Sequence, residues 1–394
     1  MDTTTSREDS LGPVFVGVAV TAIGTLPLFL TGALAVQMRA DLGFGVVGLG
    51  VAAATVRLSG VAAAGPFGRL ADRIGPTGAM RLAALMSLVT GLLVGLWADD
   101  LLTLCIALAA SGAANPLGQS GANILIARSV AANRRGLAFG LKQSALPLST
   151  LLAGLAVPIF ALTLGWRSAF LATAALSGAL TLLVPSVPHQ RRGPESGRQR
   201  TETPTRLLLL LASGMMLAMM AGASLTTFAV DGAVTTGLSP SAAGGLLVAG
   251  SIVSIITRIA AGLRADRNAG DHFLGVVAMM VVGSLGYGML ALGTPLLVVI
   301  GTMVGFAFGW GFNGLFWHAI IQMEPNAPGR VTGLVLPGGM LGAVFGPPLF
   351  GWIVDASGYG AAWSAAAVWA LLGATVLLLT SRNLAARRGR PTTG

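Results

Sequence analysis

Gly68-Arg69-Leu70-Ala71-Asp72-Arg73-Ile74-Gly75 is a short charged turn between two apolar runs, at about 44–66 and 78–98, dominated by Ala, Gly, Val and Leu. A near copy, Gly262-Leu263-Arg264-Ala265-Asp266-Arg267, closes the run 241–263 at an offset of 194 residues. Both octets and hexets of this kind suit the basic turn that joins two membrane-crossing helices on the side where Arg accumulates. The reading of the whole chain grows from this pair.

Outward from the two turns the sequence is a succession of apolar runs. Of 394 residues, 54% are hydrophobic and only 10% charged, too few charges to coat the two or more soluble domains such a length would form. A bilayer core about 30 Å thick takes about 20 helical residues to cross. Runs at approximately 13–38, 44–66, 78–98, 101–127, 136–163, 167–185, 207–230, 241–263, 272–292, 295–322, 331–354 and 360–380 meet this, predicting twelve helices. The ten-residue alternation of a membrane β-barrel is absent. Residues 2–10 are polar and the first span is too long for a signal peptide.

The charges agree with this count. With the N-terminus inside, nineteen basic residues fall in cytoplasmic segments and two, Arg39 and Arg167, on the opposite side. That asymmetry orients the chain with both termini cytoplasmic, and it explains a net charge of +10 without nucleic acid. The polar stretch 186–206 reads as a flexible basic linker, dividing the chain into six-span bundles at 1–185 and 207–394, the second ending in a short basic tail. Arg135 and Arg330, and Gly165 and Gly360, recur at an offset of 195, so the halves read as repeats.

With the octet at 68–75 and its copy at 262–267, the chain resembles the major facilitator superfamily over nearly its whole length. The family pattern between helices 2 and 3 is Gly-x-Leu-Ala-Asp-Arg-x-Gly followed by a basic tail, which Pro76, Thr77 and Gly78 replace here. The resemblance implies an all-α polytopic membrane protein with the major facilitator fold, a multi-pass carrier of the bacterial inner membrane that works by alternating access. It implies a gating role for Gly68, Asp72, Arg73, Gly75, Asp266 and Arg267, with Asp72 capping a helix N-terminus, where an anion is favoured. It also implies that helices 1, 4, 7 and 10 line a central cavity. The exporters of the family carry Gly-Pro-x-x-Gly-Gly in helix 5; span 5 has Ala153-Gly154-Leu155-Ala156-Val157-Pro158-Ile159-Phe160 instead.

Three basic residues, Arg57, Lys142 and Arg258, fall inside predicted spans, while none of the fourteen acids falls deep in one. Ionisable groups in a membrane are functional candidates by default. From the helical rise, Arg57 is about 20 Å into span 2 and Lys142 about 10 Å into span 5, whereas Arg258 is within about two turns of the inner end, where gating or topology is the expected role. Lys142 is the one lysine beside 23 arginines. On span 4, Asn115, Gln119 and Asn123 recur every four residues and share a face. Span 10 carries Trp310, Asn313, Trp317 and His318, and Gln143 follows Lys142. These ten residues, Arg258 apart, form the expected substrate site, with the amides equally suited to joining helices.

The expected function is secondary transport of a small or medium organic anion, a carboxylate above all, by proton symport or anion exchange; the alternative is proton-coupled efflux of a hydrophobic or aromatic compound. His318 is the candidate for proton coupling. The single Cys105 and the lack of a phosphate-binding Gly-rich loop ending in Gly-Lys-Ser/Thr argue against a metal cluster and ATP hydrolysis. No cofactor and no enzymatic activity are expected. The expected partners are the lipid bilayer, a small-molecule substrate and protons, with the chain a monomer. The prolines of Pro337-Gly338-Gly339-Met340-Leu341-Gly342 and of Gly346-Pro347-Pro348 favour a kink in span 11, as a moving gate or a fixed bend.

Overall fold

Backbone groups in a hydrocarbon layer have no water to bond, and uniformly apolar runs therefore resolve into helices that satisfy their own ladders. The computed structural model describes residues 12–130, 141–185, 203–267, 272–323 and 328–388. Arg135 and most of the 186–206 linker lie outside the described residues. The protein is an all-α polytopic membrane protein. Among the described residues, ten helices are long and apolar enough to cross a membrane.

By residues, α1 is Gly12–Ala33, α2 Ala35–Leu42, α3 Val46–Trp97, α4 Leu101–Ser129, α5 Ala145–Ala156, α6 Trp166–Leu183 and α7 Thr205–Thr235. They are followed by α8 Pro240–Arg267, α9 His272–Leu292, α10 Pro295–Val304, α11 Asn313–Met323 and α12 Pro328–Arg388. Two π-helical turns, Val157–Ala161 after α5 and Gly305–Trp310 after α10, interrupt what the sequence reads as unbroken helix. The chain divides into two compact units, Met1–Glu195 and Ser196–Gly394. In the first, α3 packs chiefly against α4 and α6, and α1 against α4 and α5; in the second, α12 packs against α7 and α9.

The helix ends have local causes. Asp100 accepts a hydrogen bond from the Thr103 backbone N–H at 2.8 Å and completes a capping box at the start of α4. These bonds, the backbone one first, hold its exposed carboxyl below its ordinary value. At 1.5 Å per residue, the 52 residues of α3 would extend about 78 Å, far beyond a bilayer core. Gly75, at φ 76° and ψ 173°, breaks it, and Pro76 then opens the following segment without needing an N–H partner. Gly358, at φ 81° and ψ 171°, does the same within the 61 residues of α12. Gly165, at φ 84° and ψ 153°, starts α6.

These dihedrals correct the repeat. Gly165 pairs with Gly358 at an offset of 193, because both occupy a conformation that side chains rarely adopt. Gly360 is not the counterpart of Gly165: it has no positive φ. Pro337, Pro347 and Pro348 lie within α12, and its one non-helical residue is Gly358.

What span 11 supplies is close approach. A Cβ on Gly338 would stand 2.1 Å from the Ala212 carbonyl oxygen, one on Gly342 2.1 Å from that of Met216, and one on Gly346 2.6 Å from the Met220 backbone. Four-residue spacing on α12 therefore meets four-residue spacing on α7, with no room for a methyl group at the contact. The residues 193 positions earlier, Ala145, Ser149 and Ala153, are fully buried. There the Ser149 hydroxyl bonds the Ala22 carbonyl of α1 at 2.6 Å and the Thr25 hydroxyl at 2.7 Å. Small residues do this work because lipid gives apolar helices no hydrophobic drive to associate.

Gly342→Ala is expected to destabilise the protein by about 1–3 kcal/mol through overpacking. Gly333→Ala, whose Cβ would meet nothing within 4 Å, should be near neutral. Thermal unfolding in detergent checks this: equal melting temperatures for the two variants would contradict the packing.

Candidate functional site

The deep cations are held by neighbours from their own unit. In the first unit, Lys142 precedes α5 and its side chain is buried, with 4% of the residue exposed. Its Nζ donates to Gln119 Oε1, a residue on α4. The ammonium thus joins two helices through an amide, in the manner expected when a polar group cannot reach water. Arg57 on α3 is half-buried, and its Nη1 donates to the Ala53 carbonyl one turn earlier at 3.2 Å. Asn115 is half-buried, whereas Asn123 and Gln143 are exposed. Of the first-unit candidates, only Lys142 and Gln119 are brought into a shared hydrogen bond.

In the second unit, Arg258 is not an interfacial residue reaching for water. Its Nη2 donates to the Trp310 carbonyl at 3.0 Å, its Nε lies 3.4 Å from the Ser254 hydroxyl, and the guanidinium sits 4.9 Å from the Trp310 ring centroid. The π-helical turn ends at Trp310, which places its carbonyl and its ring within reach of one guanidinium. Trp310 is buried and meets Phe306 edge to face at 5.7 Å. A planar cation that both bonds a carbonyl and covers an indole suits arginine and not lysine.

The other candidates on span 10 take structural contacts. Asn313 Nδ2 lies 3.7 Å from the Met219 sulfur, and Trp317 packs at the margin of the second unit's core, edge to face with Phe316 at 5.4 Å. His318 meets a residue the sequence reading left aside, His272 at the start of α9, with ring centroids 5.0 Å apart.

Among the gating candidates, Gly75 has an evident role as the break in α3. Gly68 has open space where a Cβ would stand. Asp72 lies in the last turn of α3 before the break, and both it and Arg73 are exposed. Asp266 and Arg267 end α8.

Two contacts escaped the sequence reading. Trp166, directly after Gly165, donates from Nε1 to Asp41 Oδ2 at 3.0 Å, and Arg167 Nη2 lies 3.6 Å from the same oxygen. Tyr359, directly after Gly358, donates from its hydroxyl to Asp231 Oδ2 on α7. The signal was present as an aromatic residue following a helix-breaking glycine at an offset of 193. It was obscured by pairing Gly165 with Gly360.

The profile of the Major Facilitator Superfamily matches residues 14–336. The chain belongs to this family. It is accordingly a transporter and not an enzyme, a secondary carrier of small molecules that works by alternating access in a lipid bilayer. Among solved structures, a bacterial homolog of the human lysosomal transporter Spinster, in an inward-facing and unoccupied conformation, is 15% identical. Its TM-score is 0.71, over 97% of this chain and 99% of that one. The occupied form of that homolog gives a TM-score of 0.72 at 15% identity, over 98% of this chain and 100% of that one. A D-xylose–proton symporter gives 0.73 at 16% identity, over 93% of this chain and 97% of that one. At such identities the likeness is one of fold. No curated protein matches the chain by sequence.

Arg258→Met removes a charged hydrogen bond, worth about 1.5–3 kcal/mol, and its contact with an indole face. The melting temperature is expected to fall by several degrees, with Arg258→Lys recovering less than half of the loss. An unchanged melting temperature for Arg258→Met would exclude the bracing role.

Proposed function

We propose that the protein is a twelve-span carrier built of two six-span bundles, monomeric in a bacterial inner membrane with both termini cytoplasmic. It exports a hydrophobic or aromatic organic compound in exchange for protons. Counting α3 and α12 as two crossings each, broken at Gly75 and Gly358, turns ten apolar helices into twelve. The distribution of arginines supports the orientation.

The observation that carries the substrate class is the engagement of Lys142 by Gln119 and of Arg258 by Trp310. Cations already committed to a side-chain amide and to a backbone carbonyl are poor counter-ions for cargo, because an anion would have to displace those bonds. Their role is to fasten helices. The direction follows from partitioning: a compound that dissolves in lipid enters unaided, so work done on it has an effect only outward. Coupling to protons is something this fold accommodates, as the D-xylose–proton symporter illustrates, in the symport direction, for its own substrate.

The second reading is transport of an organic anion, by proton symport or exchange. Arg57 favours it, since among the described residues its one hydrogen bond, to the Ala53 carbonyl, uses a single donor of a guanidinium that has five. Proteoliposome transport of labelled neutral aromatic compounds and labelled carboxylates, with and without an imposed proton gradient, separates the two. Gradient-driven movement of an aromatic compound is expected, retained within about threefold in Arg57→Gln. Movement of carboxylates alone, abolished in Arg57→Gln, would replace this reading with the anion one.

A further inference from the structure

A buried carboxylate in a membrane helix is costly unless hydrogen-bonded or protonated. Asp231 is such a group. It lies in α7 four residues before the helix ends, in a residue only 4% exposed. By sequence position it is one of the fourteen acids that do not fall deep in a predicted span. The phenol of Tyr359 donates to its Oδ2. Beside the pair is a cavity of about 40 Å³ lined by Gly232, Thr236, Tyr359, Gly360 and Trp363 among others, enough to admit a water molecule.

We propose that Asp231, with Tyr359 as its hydrogen-bond partner, is the proton-binding site of the carrier, reached from the outer surface through this cavity. This rests on the proton-coupled reading above. The proton adds to the Asp231 carboxylate and converts it to the neutral acid; the Tyr359 hydroxyl donates to the ionised form and can accept from the protonated one. No other bond forms or breaks.

The first unit offers a control within the same chain. Its equivalent clasp joins Trp166 to Asp41, with the Asp41 side chain 54% exposed and a guanidinium, Arg167, 3.6 Å away. An indole donates but does not accept, so that contact cannot adapt to a protonated acid. At an offset of 193, Tyr359 takes the place of Trp166, and Gly360 takes the place of Arg167. Replacing a large cation with glycine leaves space, and Gly360 lines the cavity. Thus one copy has an exposed, ion-paired carboxylate tied to a non-titrating ring, and the other a buried carboxylate tied to a phenol beside a cavity.

The titratable groups on the elements around Asp231 are few. On residues 331–381 of α12 they are Tyr359 and Asp355, the latter exposed, the arginines of this helix lying at its ends. On α9, His272 is at the helix start, and Tyr287 is fully buried, stacked parallel to Trp363 at 6.3 Å, its hydroxyl against Gly309. Residues 240–257 of α8, all of α10 and the π-helical turn contain no titratable or charged side chain.

Infrared titration of the reconstituted full-length protein tests the site with the proton itself as probe. The carbonyl stretch of a protonated carboxyl in apolar surroundings is expected at low pH, lost as the pH rises, absent in Asp231→Asn and shifted in midpoint or frequency in Tyr359→Phe. Trp166→Phe should leave the band unchanged. If Asp231→Asn does not fold, the Tyr359→Phe shift decides. A band that persists in Asp231→Asn, that is unmoved in Tyr359→Phe, or that never appears in the wild type would overturn the proposal. A titrating Asp231 band without any gradient-driven transport in the wild type would support the site and remove the exchange reading, so the two fail separately.

Discussion

Inside a hydrocarbon layer a polar group has only the rest of the chain to bond with, and the internal architecture of both units follows from that limit. Serine and threonine side chains return to carbonyls three or four residues back, as Thr31 does to Pro27 and Ser251 to Leu247. Arg57 does the same with a charge, bonding the Ala53 carbonyl one turn back, but for three other charged groups another segment supplies the partner. Lys142 reaches Gln119 on α4, Arg258 reaches the carbonyl and ring of Trp310, and Asp231 receives the Tyr359 phenol. These three charges are therefore fasteners between helices first, and any role toward cargo or protons must be compatible with that.

The same limit makes small residues decisive. With no hydrophobic force drawing helix to helix, contact comes from backbones that lie close together. Gly338, Gly342 and Gly346 allow α12 to touch the backbone of α7, and Ala145, Ser149 and Ala153 give α5 the corresponding surface toward α1. The two versions differ in chemistry: the first unit adds a hydroxyl bond, Ser149 to Ala22, where the second relies on glycine alone. Gly75, Gly165 and Gly358 serve a different need, since each holds a positive φ where one helical segment gives way to the next.

Much of this could be read from the residues. The run 272–292 and the start at 295 coincide with α9 and α10, because Gly293 and Pro295 mark the turn chemically. The charged octet located a break, and its closing glycine is the residue that makes it. The π-helical turns were not legible, since an inserted residue leaves the apolar composition unchanged. The candidate site was legible as a set of residue types but not as contacts. Four-residue spacing placed Asn115, Gln119 and Asn123 on one face of α4, yet only Gln119 meets Lys142 and Asn123 is exposed. The contact of Arg258 was not legible because its distance from the helix end says nothing of Trp310, 52 residues away in sequence. That of Asp231 was not legible for a related reason, as Tyr359 arrives from the far end of the chain.

We propose that the positive charges of Lys142 and Arg258 fasten helices and are not presented to cargo. Lys142 is the one lysine of the chain, so an amine-reactive reagent, with the N-terminal amine blocked, reports on it alone. In reconstituted protein, Lys142 is predicted to resist modification in the wild type and to become reactive when Gln119→Leu removes its partner. Ready labelling in the wild type, suppressed by an organic anion, would contradict the claim.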